Sequence, residues 1–171
     1  MRSWFSKPAH QDSTDLPLYK RRDRFLRESD RQLFDCLRQV LGRAYHVFAK
    51  VKLSALVEPQ VESSNRVHQL HWIKVHRQTI DFLICRSHDL EPLVAIRLFP
   101  KTEYARRGLS PQDVTDTVLR DIGLPSLTLT EKKSYEPEDL KKKLRIAMAE
   151  SQHHGSASNE GGAPPRGSTP N

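Results

Sequence analysis

The sequence predicts a mixed α/β domain in which helices flank a central sheet of about four strands. Apolar residues recur at helical spacing near the start of the chain, and strict alternation of apolar and polar residues follows. Two short apolar runs then flank a polar connection, as expected for a hairpin. A chain of 171 residues is long enough for one domain with a buried core.

The first helix is predicted to begin at Ser29, a residue type that caps helix N-termini, and to end at Gly42. Its buried stripe would be Leu33, Phe34, Leu37, Val40 and Leu41. The first strand is predicted over residues 44–53, where every second residue is apolar.

The later elements are predicted from shorter patterns. Apolar residues near Val67 and Trp72 indicate a second helix, and the apolar runs 79–85 and 92–99 indicate paired strands. Ser110, followed by a proline, is typical of a helix start, and Gly123 of its end. A strand over 124–129 and a helix over 138–149 complete the order helix, strand, helix, strand, strand, helix, strand, helix.

Composition limits the classes of function. The net charge of +7 attracts polyanions, of which nucleic acid is the commonest in cells. Cys36 and Cys85 lie in apolar runs without ligand-like spacing, so neither a disulfide scaffold nor a zinc site is indicated. The sequence offers neither a signal peptide nor a membrane span, which predicts a cytoplasmic protein. No small-molecule cofactor is expected, and protein partners are not predicted.

The domain organisation is predicted from composition. Residues 1–18 mix polar residues and proline without periodicity, which indicates a flexible segment. The folded domain would occupy residues 19–150, and the glycine-, proline- and serine-rich residues 151–171 would form a disordered tail.

Several segments together resemble one known family. They are Ser29-Asp30-Arg31-Gln32-Leu33-Phe34, Val51-Lys52-Leu53, Ile80-Asp81-Phe82-Leu83-Ile84-Cys85, Leu93-Val94-Ala95-Ile96 and Gly123-Leu124-Pro125. In these segments the chain, over roughly residues 26–129, resembles the bacterial DUF2726 family, which is assigned to the PD-(D/E)xK, restriction-endonuclease-like fold. The resemblance implies a nuclease-like mixed sheet flanked by helices.

Such nucleases hold Mg²⁺ between two carboxylates on neighbouring strands, because a hard cation binds oxygen ligands and generates hydroxide beside the phosphate. The resemblance places the first carboxylate at Asp81. The second carboxylate and the lysine of the pattern are replaced by Arg97 and Phe99. We therefore expect Arg97 to form an ion pair with Asp81 and to fill the metal position, so that no metal or other cofactor binds.

Asp30 aligns with an acid that the family carries on its first helix. Its simpler interpretation is a first-turn acid that opposes the helix dipole. Candidate catalytic residues are Asp81, Lys101 and Asp30, and none is firm. If the chain were an active Mg²⁺-dependent nuclease, its second carboxylate would have migrated, and Asp81 would bind metal with Glu103 or Asp113, or with Asp116.

The sequence therefore predicts a catalytically inactive nuclease-like domain that binds nucleic acid, DNA rather than RNA. The predicted phosphate-binding residues are Arg97, Lys101, Arg106, Arg107, Lys74 and Arg77. Two alternatives stay open, which are the active nuclease just described and a protein-interaction domain with no role in nucleic-acid binding. Trp72 could stack on a base, but a core position is the simpler interpretation.

Overall fold

The computed structural model describes residues 19–60, 65–102 and 113–155, with side chains up to residue 149. The α-helices and strands whose ends both lie in these residues follow one another in the predicted order. The helices are α1 (Glu28–Leu41), α2 (Arg66–Arg77), α3 (Val114–Asp121) and α4 (Pro137–Gly155). The strands are β1 (Tyr45–Lys52), β2 (Thr79–Arg86), β3 (Pro92–Phe99) and β4 (Ser126–Thr130).

The strands form one mixed sheet in the order β1-β2-β3-β4. The pairs β1–β2 and β2–β3 are antiparallel, which confirms the predicted hairpin of residues 79–85 and 92–99. β3 and β4 are parallel, and α3 connects them, because parallel neighbours need a crossover connection. Within the described residues, β1 and β4 are therefore the two edges of the sheet.

The helices form two layers, one on each face of the sheet. On one face, α1 and α4 bury a cluster around Leu33, Leu37, Phe82, Ile96 and Leu144. On the other face, α2 and α3 cover a smaller cluster that includes Leu53, Val75, Leu83 and Leu119. The predicted mixed sheet with flanking helices is thereby confirmed at the level of architecture.

The helix ends differ from the predictions in detail. Arg27, not Ser29, is the N-cap of α1, without a side-chain hydrogen bond, so the predicted serine cap is wrong. Asp113 caps α3, since its carboxylate accepts the N–H of Thr115, whereas Ser110 lies outside the described residues. Gly42 and Gly123 end their helices as predicted, with φ angles of 62° and 66°.

At the C-terminal end of the predicted domain, the last helix is longer than predicted. α4 continues to Gly155, beyond the predicted end of the terminal helix. The predicted flexible residues 1–18 and residues 156–171 of the predicted tail lie outside the described residues. No helix in the part of the chain that the structure describes is both long enough and apolar enough to span a membrane.

Candidate functional site

Three charged side chains from three elements meet at one end of the sheet. Asp30 lies in the first turn of α1, Lys50 near the end of β1, and Asp81 near the start of β2. Because β1 and β2 are antiparallel neighbours and α1 packs on the same sheet face, the fold brings these distant positions together. We call Asp30, Lys50 and Asp81 the Lys50 cluster.

The ammonium group of Lys50 lies between the two carboxylates. Its Nζ is 2.9 Å from Asp30 Oδ2 and 2.7 Å from Asp81 Oδ1. The second oxygen of Asp81 accepts the backbone N–H of Leu98 at 2.8 Å, which links the cluster to β3. The side chain of Asp30 is fully buried, while those of Lys50 and Asp81 are 28% and 21% exposed. The cluster therefore reaches solvent at Lys50 and Asp81, whereas Asp30 is shielded from solvent.

Two further charges, Arg27 and Glu131, extend the Lys50 cluster to the end of β4. Arg27 donates to both oxygens of Asp30, at 3.0 and 3.2 Å, and also lies 3.0 Å from Glu131. Along Glu131, Arg27, Asp30, Lys50 and Asp81 the charges alternate in sign. Each buried acid or base thus has an opposite neighbour, which is the condition under which buried charge is tolerated.

Lys50 reaches this position through an unusual backbone conformation. Its φ angle is +57°, a left-handed value that costs a non-glycine residue roughly 1–2 kcal/mol. Ala44 O accepts from Ser87 N–H, and Leu53 N–H donates to Gln78 O. Hydrogen-bonded pairs recur at every second residue of a regular antiparallel ladder, but positions 44 and 53 differ by an odd number. The alternation of hydrogen-bonded and non-hydrogen-bonded pairs therefore shifts by one residue somewhere between residues 44 and 53. Lys50 lies in that interval.

The same irregularity appears on β2. Leu83 and Cys85 belong to the cluster beneath α2 and α3, and strict alternation would place Asp81 with them and Ile80 on the other face. Ile80 lies beneath α2 and α3 instead, and the Asp81 carboxylate contacts residues on the α1 side. The alternation of side chains between the two faces of the sheet is therefore interrupted near Asp81. This interruption brings the Asp81 carboxylate to Lys50.

The charges in the cluster reinforce one another. Burial alone would raise the pKa of Asp30, but hydrogen bonds from Arg27 and Lys50 outweigh burial and lower it. Burial opposes the charge of Lys50 as well, yet its hydrogen bonds to Asp81 and Asp30 raise its pKa. Both groups are therefore held in their charged forms near neutral pH.

This arrangement does not fit a bound divalent metal. The carboxylate oxygens that face each other already share an ammonium group at hydrogen-bonding distance, and a cation there would meet like charge. In the described residues, no group of three or more His, Cys, Asp or Glu side chains is placed to hold a metal ion. Glu103, a predicted metal candidate, lies outside those residues.

The predicted ion pair between Asp81 and Arg97 is wrong. Arg97 points to the other face of the sheet, beneath α3, where its guanidinium contacts the carboxylates of Asp113 and Asp116. The Arg97 side chain is only 8% exposed, and its charged end also lies 4.9 Å from the ring centre of Phe99. The Asp81 carboxylate cannot pair with Arg97, because the interrupted alternation of β2 places it on the α1 side of the sheet. Asp113 and Asp116, the other predicted metal candidates, both contact Arg97 and lie on the opposite sheet face from Asp81.

The other predicted site residues have separate positions. Lys74 and Arg77 are exposed on the last turn of α2, and Lys101 is exposed beyond β3. Arg106 and Arg107 lie outside the described residues. Trp72 is half-buried and lines a cavity of about 760 Å³ between α2 and α3. Cys36 and Cys85 are buried, and burial raises the pKa of both thiols, as expected for packing residues.

The sequence does not indicate that Asp30 is buried or that Lys50 lies between two carboxylates. Asp30 lies in the first turn of α1, as its simpler interpretation states, but its side chain is also fully buried against two cations. Lys50 follows the polar positions of β1 and looks like an ordinary solvent-facing lysine. The unpaired acids Asp30 and Asp81 were the available signal, since two buried acids require a cationic partner.

The fold and the Lys50 cluster define a small α/β domain with a four-stranded mixed sheet that carries three paired charges at one end. Over residues 22–148 the chain matches the model of a family described as "Protein of unknown function (DUF2726)". The chain therefore belongs to the DUF2726 family. Neither the search of curated proteins nor the search of solved structures found a match.

Proposed function

We propose that this chain is a catalytically inactive member of the restriction-endonuclease-like fold that binds nucleic acid, DNA in preference to RNA, in the cytoplasm. The observation that carries its inactivity is the Lys50 ammonium group between the Asp30 and Asp81 carboxylates. A protein cation there supplies the charge that a metal would supply, but it generates no hydroxide. Arg97 and Phe99 stand at the other positions of the chemical pattern and contact each other instead.

Binding is supported by the distribution of charge. The whole chain has a net charge of +7, and α2 carries Arg66, Lys74 and Arg77 without any acidic residue. Lys74, Arg77 and Lys101 are exposed, so their charges are available to phosphates. Arg97, a predicted phosphate-binding residue, is not part of this basic surface, because two carboxylates already contact its guanidinium.

The experiment combines cleavage and binding in the same samples. Single- and double-stranded DNA and an RNA of matching sequence are incubated with Mg²⁺ or Mn²⁺ and with either wild type or Asp81→Ala. We expect binding without cleavage by the wild type, DNA bound more tightly than RNA, and an affinity that falls steeply with salt because phosphate contacts release counterions. Metal-dependent cleavage that disappears in Asp81→Ala would refute inactivity.

Charge reversal tests the binding surface. The Lys74→Glu/Arg77→Glu variant and the Lys101→Glu/Arg106→Glu/Arg107→Glu variant should each bind DNA at least about tenfold more weakly at low salt. Lys141→Glu/Lys142→Glu on α4 is the matched control for the double variant, and Lys141→Glu/Lys142→Glu/Lys143→Glu is the matched control for the triple variant. Each control changes net charge as much as its partner variant, at exposed positions elsewhere. If the controls weaken binding as much, net charge and not this surface attracts DNA. If neither the wild type nor any variant binds DNA or RNA, the result favours the protein-interaction alternative.

One observation favours an active nuclease as the second candidate. Asp30 and Asp81 both face one ammonium group, so within the described residues Asp30 is the carboxylate that lies with Asp81. Activity would then require Lys50 to swing away and leave its place to Mg²⁺. Replacing Lys50 with methionine should raise metal-dependent cleavage in that case and should produce none in the inactive domain.

A further inference from the structure

The outer edge of β1 is an open side of the sheet. Within the described residues no strand pairs with it, since β1 is the first strand in the order β1-β2-β3-β4. Because Ala44 O accepts the N–H of Ser87, which directly follows β2, the ladder alternation directs the backbone groups of His46 and Phe48 to β2 as well. The N–H and C=O groups of Tyr45 and Val47 therefore point away from the sheet.

The first five residues of this edge, Tyr45–Ala49, lack the usual protection against another strand. Edge strands are commonly guarded by proline, bulges or inward lysines, and Tyr45–Ala49 contains none of these. The left-handed residue Lys50 ends the regular part of the edge. Phe48 is 42% exposed beside it, and its ring centre lies 6.3 Å from that of His46, so the two rings form a partly exposed aromatic surface.

A basic cavity runs beside the same edge. It has a volume of about 360 Å³ and lies between α1 and β1, with aromatic rings and cations in its walls. The lining residues are Phe34, Arg38, Gly42, Arg43, Tyr45, His46, Val47 and Phe48. The guanidinium of Arg38 lies 5.8 Å from the ring centre of Phe34, so it is held at the cavity wall. None of the described residues that line the cavity is acidic.

We propose that β1 binds an extended acidic peptide segment of a partner protein as an additional strand. The outward backbone groups of Tyr45 and Val47 would pair with the peptide backbone, as in other strand-addition complexes. An apolar side chain of the peptide fills the cavity over Phe34, and its acidic side chains pair with Arg38 and Arg43. This surface is separate from the exposed basic residues of α2 and does not depend on the proposed nucleic-acid binding.

Charge decides between the possible occupants. A second copy of this chain, paired through β1, would bring its own Arg38 and Arg43 and His46 to a basic edge, and like charges there repel. An oligonucleotide would satisfy the cations but not the outward N–H and C=O groups of the strand. An acidic peptide satisfies both the cations and the backbone.

The test uses two fluorescein-labelled octapeptides, one alternating valine with glutamate and the other alternating valine with lysine, and the full chain. Fluorescence anisotropy at low salt should show the glutamate peptide binding at least about tenfold more tightly. Hydrogen exchange should show the amides of Tyr45 and Val47 exchanging rapidly in the free chain and slowly in the complex. The amides of His46 and Phe48 bond within the sheet and are the internal control.

Two variants examine the edge and the cations separately. Val47→Pro removes an outward N–H without removing a bond to β2, since proline is tolerated on the open side of an edge strand. Arg38→Gln/Arg43→Gln neutralises the cavity, and Lys141→Gln/Lys142→Gln on α4 is its charge-matched control. We expect the first two variants to lose at least about 90% of the affinity and the control to retain it. The Arg38/Arg43 variant keeps the test decisive if Val47→Pro fails to fold.

The remaining outcomes each overturn the proposal. Equal binding of both peptides, or no binding, would exclude an acidic strand partner. Tyr45 and Val47 amides that are already protected in the free chain would show that this chain, or a second copy, covers the edge. Protection by an unstructured oligonucleotide but not by the glutamate peptide would assign the surface to nucleic acid.

Discussion

Replacing Lys50 with methionine removes one ammonium group from between two carboxylates and keeps most of the side-chain volume. Breaking a buried ion pair by removing one partner costs about 3–5 kcal/mol when both groups are fully buried. Here only Asp30 is fully buried, whereas Lys50 and Asp81 are 28% and 21% exposed. Asp30 also keeps Arg27, and Asp81 keeps the N–H of Leu98.

The expected loss is therefore smaller than in the fully buried case. Charge-assisted hydrogen bonds contribute about 1.5–3 kcal/mol each, and solvent screening reduces both bonds of Lys50. We expect Lys50→Met to lower the free energy of unfolding by about 2–3 kcal/mol in urea denaturation near neutral pH. Lys52→Met, at an exposed position of the same strand, should change it by less than about 0.5 kcal/mol.

Two comparisons separate the charge of Lys50 from its backbone. In the Asp30→Asn background, Lys50→Met should cost less, because the buried charge that it leaves behind is gone. Glycine is normally worse than alanine in a strand, but at a φ of +57° Lys50→Gly should be more stable than Lys50→Ala by about 1 kcal/mol. Equal unfolding free energies for Lys50→Met and Lys52→Met would refute the role of the cluster.

Three further predictions concern acid, the second charge cluster and a helix end. The Asp30 carboxyl has a lowered pKa in the folded chain, so its stabilisation is present at neutral pH and is lost as pH falls through the folded value. Wild type should therefore lose more unfolding free energy than Asp30→Asn on acidification in urea titrations, and parallel losses would contradict this. Arg97→Met should cost about 2–4 kcal/mol because it removes the buried cation that both Asp113 and Asp116 contact, whereas Arg86→Met, whose two carboxylate partners are exposed, should cost less than about 1 kcal/mol. Equal losses in denaturant would show that burial does not matter. Gly42→Ala should cost about 1–3 kcal/mol through backbone strain alone, since a φ of 62° with a ψ of −146° is a glycine conformation and an added Cβ would meet nothing within 4 Å. Gly42→Asn should give no advantage over alanine in thermal unfolding, and a clear advantage would indicate an ordinary left-handed cap.

Most of the fold follows from local patterns in the sequence. The spacing of Leu33 and Leu37 predicts α1, and the alternation from Tyr45 onward predicts β1, because each element must bury one face. Glycine ends both α1 and α3 at the predicted residues, since positive φ favours glycine. These features depend on neighbouring residues only, so a single sequence contains them.

The charge partners could not be predicted in the same way. β3 is apolar at nearly every position, so the sequence does not say which face Arg97 takes. Asp113 and Asp116, one turn apart at the start of a helix, were a signal for a cation beneath α3. The left-handed conformation of Lys50 has no local signature, and without it the meeting of Asp30 and Asp81 cannot be inferred.

The Lys50 cluster gives a structural reason why an acid at position 81 would be kept during evolution. In the proposed nuclease-like fold Asp81 would stand at the place of a metal ligand, yet it has a structural reason to persist because it joins three strands of the sheet through Lys50 and Leu98. Selection for folding alone would preserve it. In relatives with a lysine at the position of Lys50, both acids should remain, because each is a partner of that lysine.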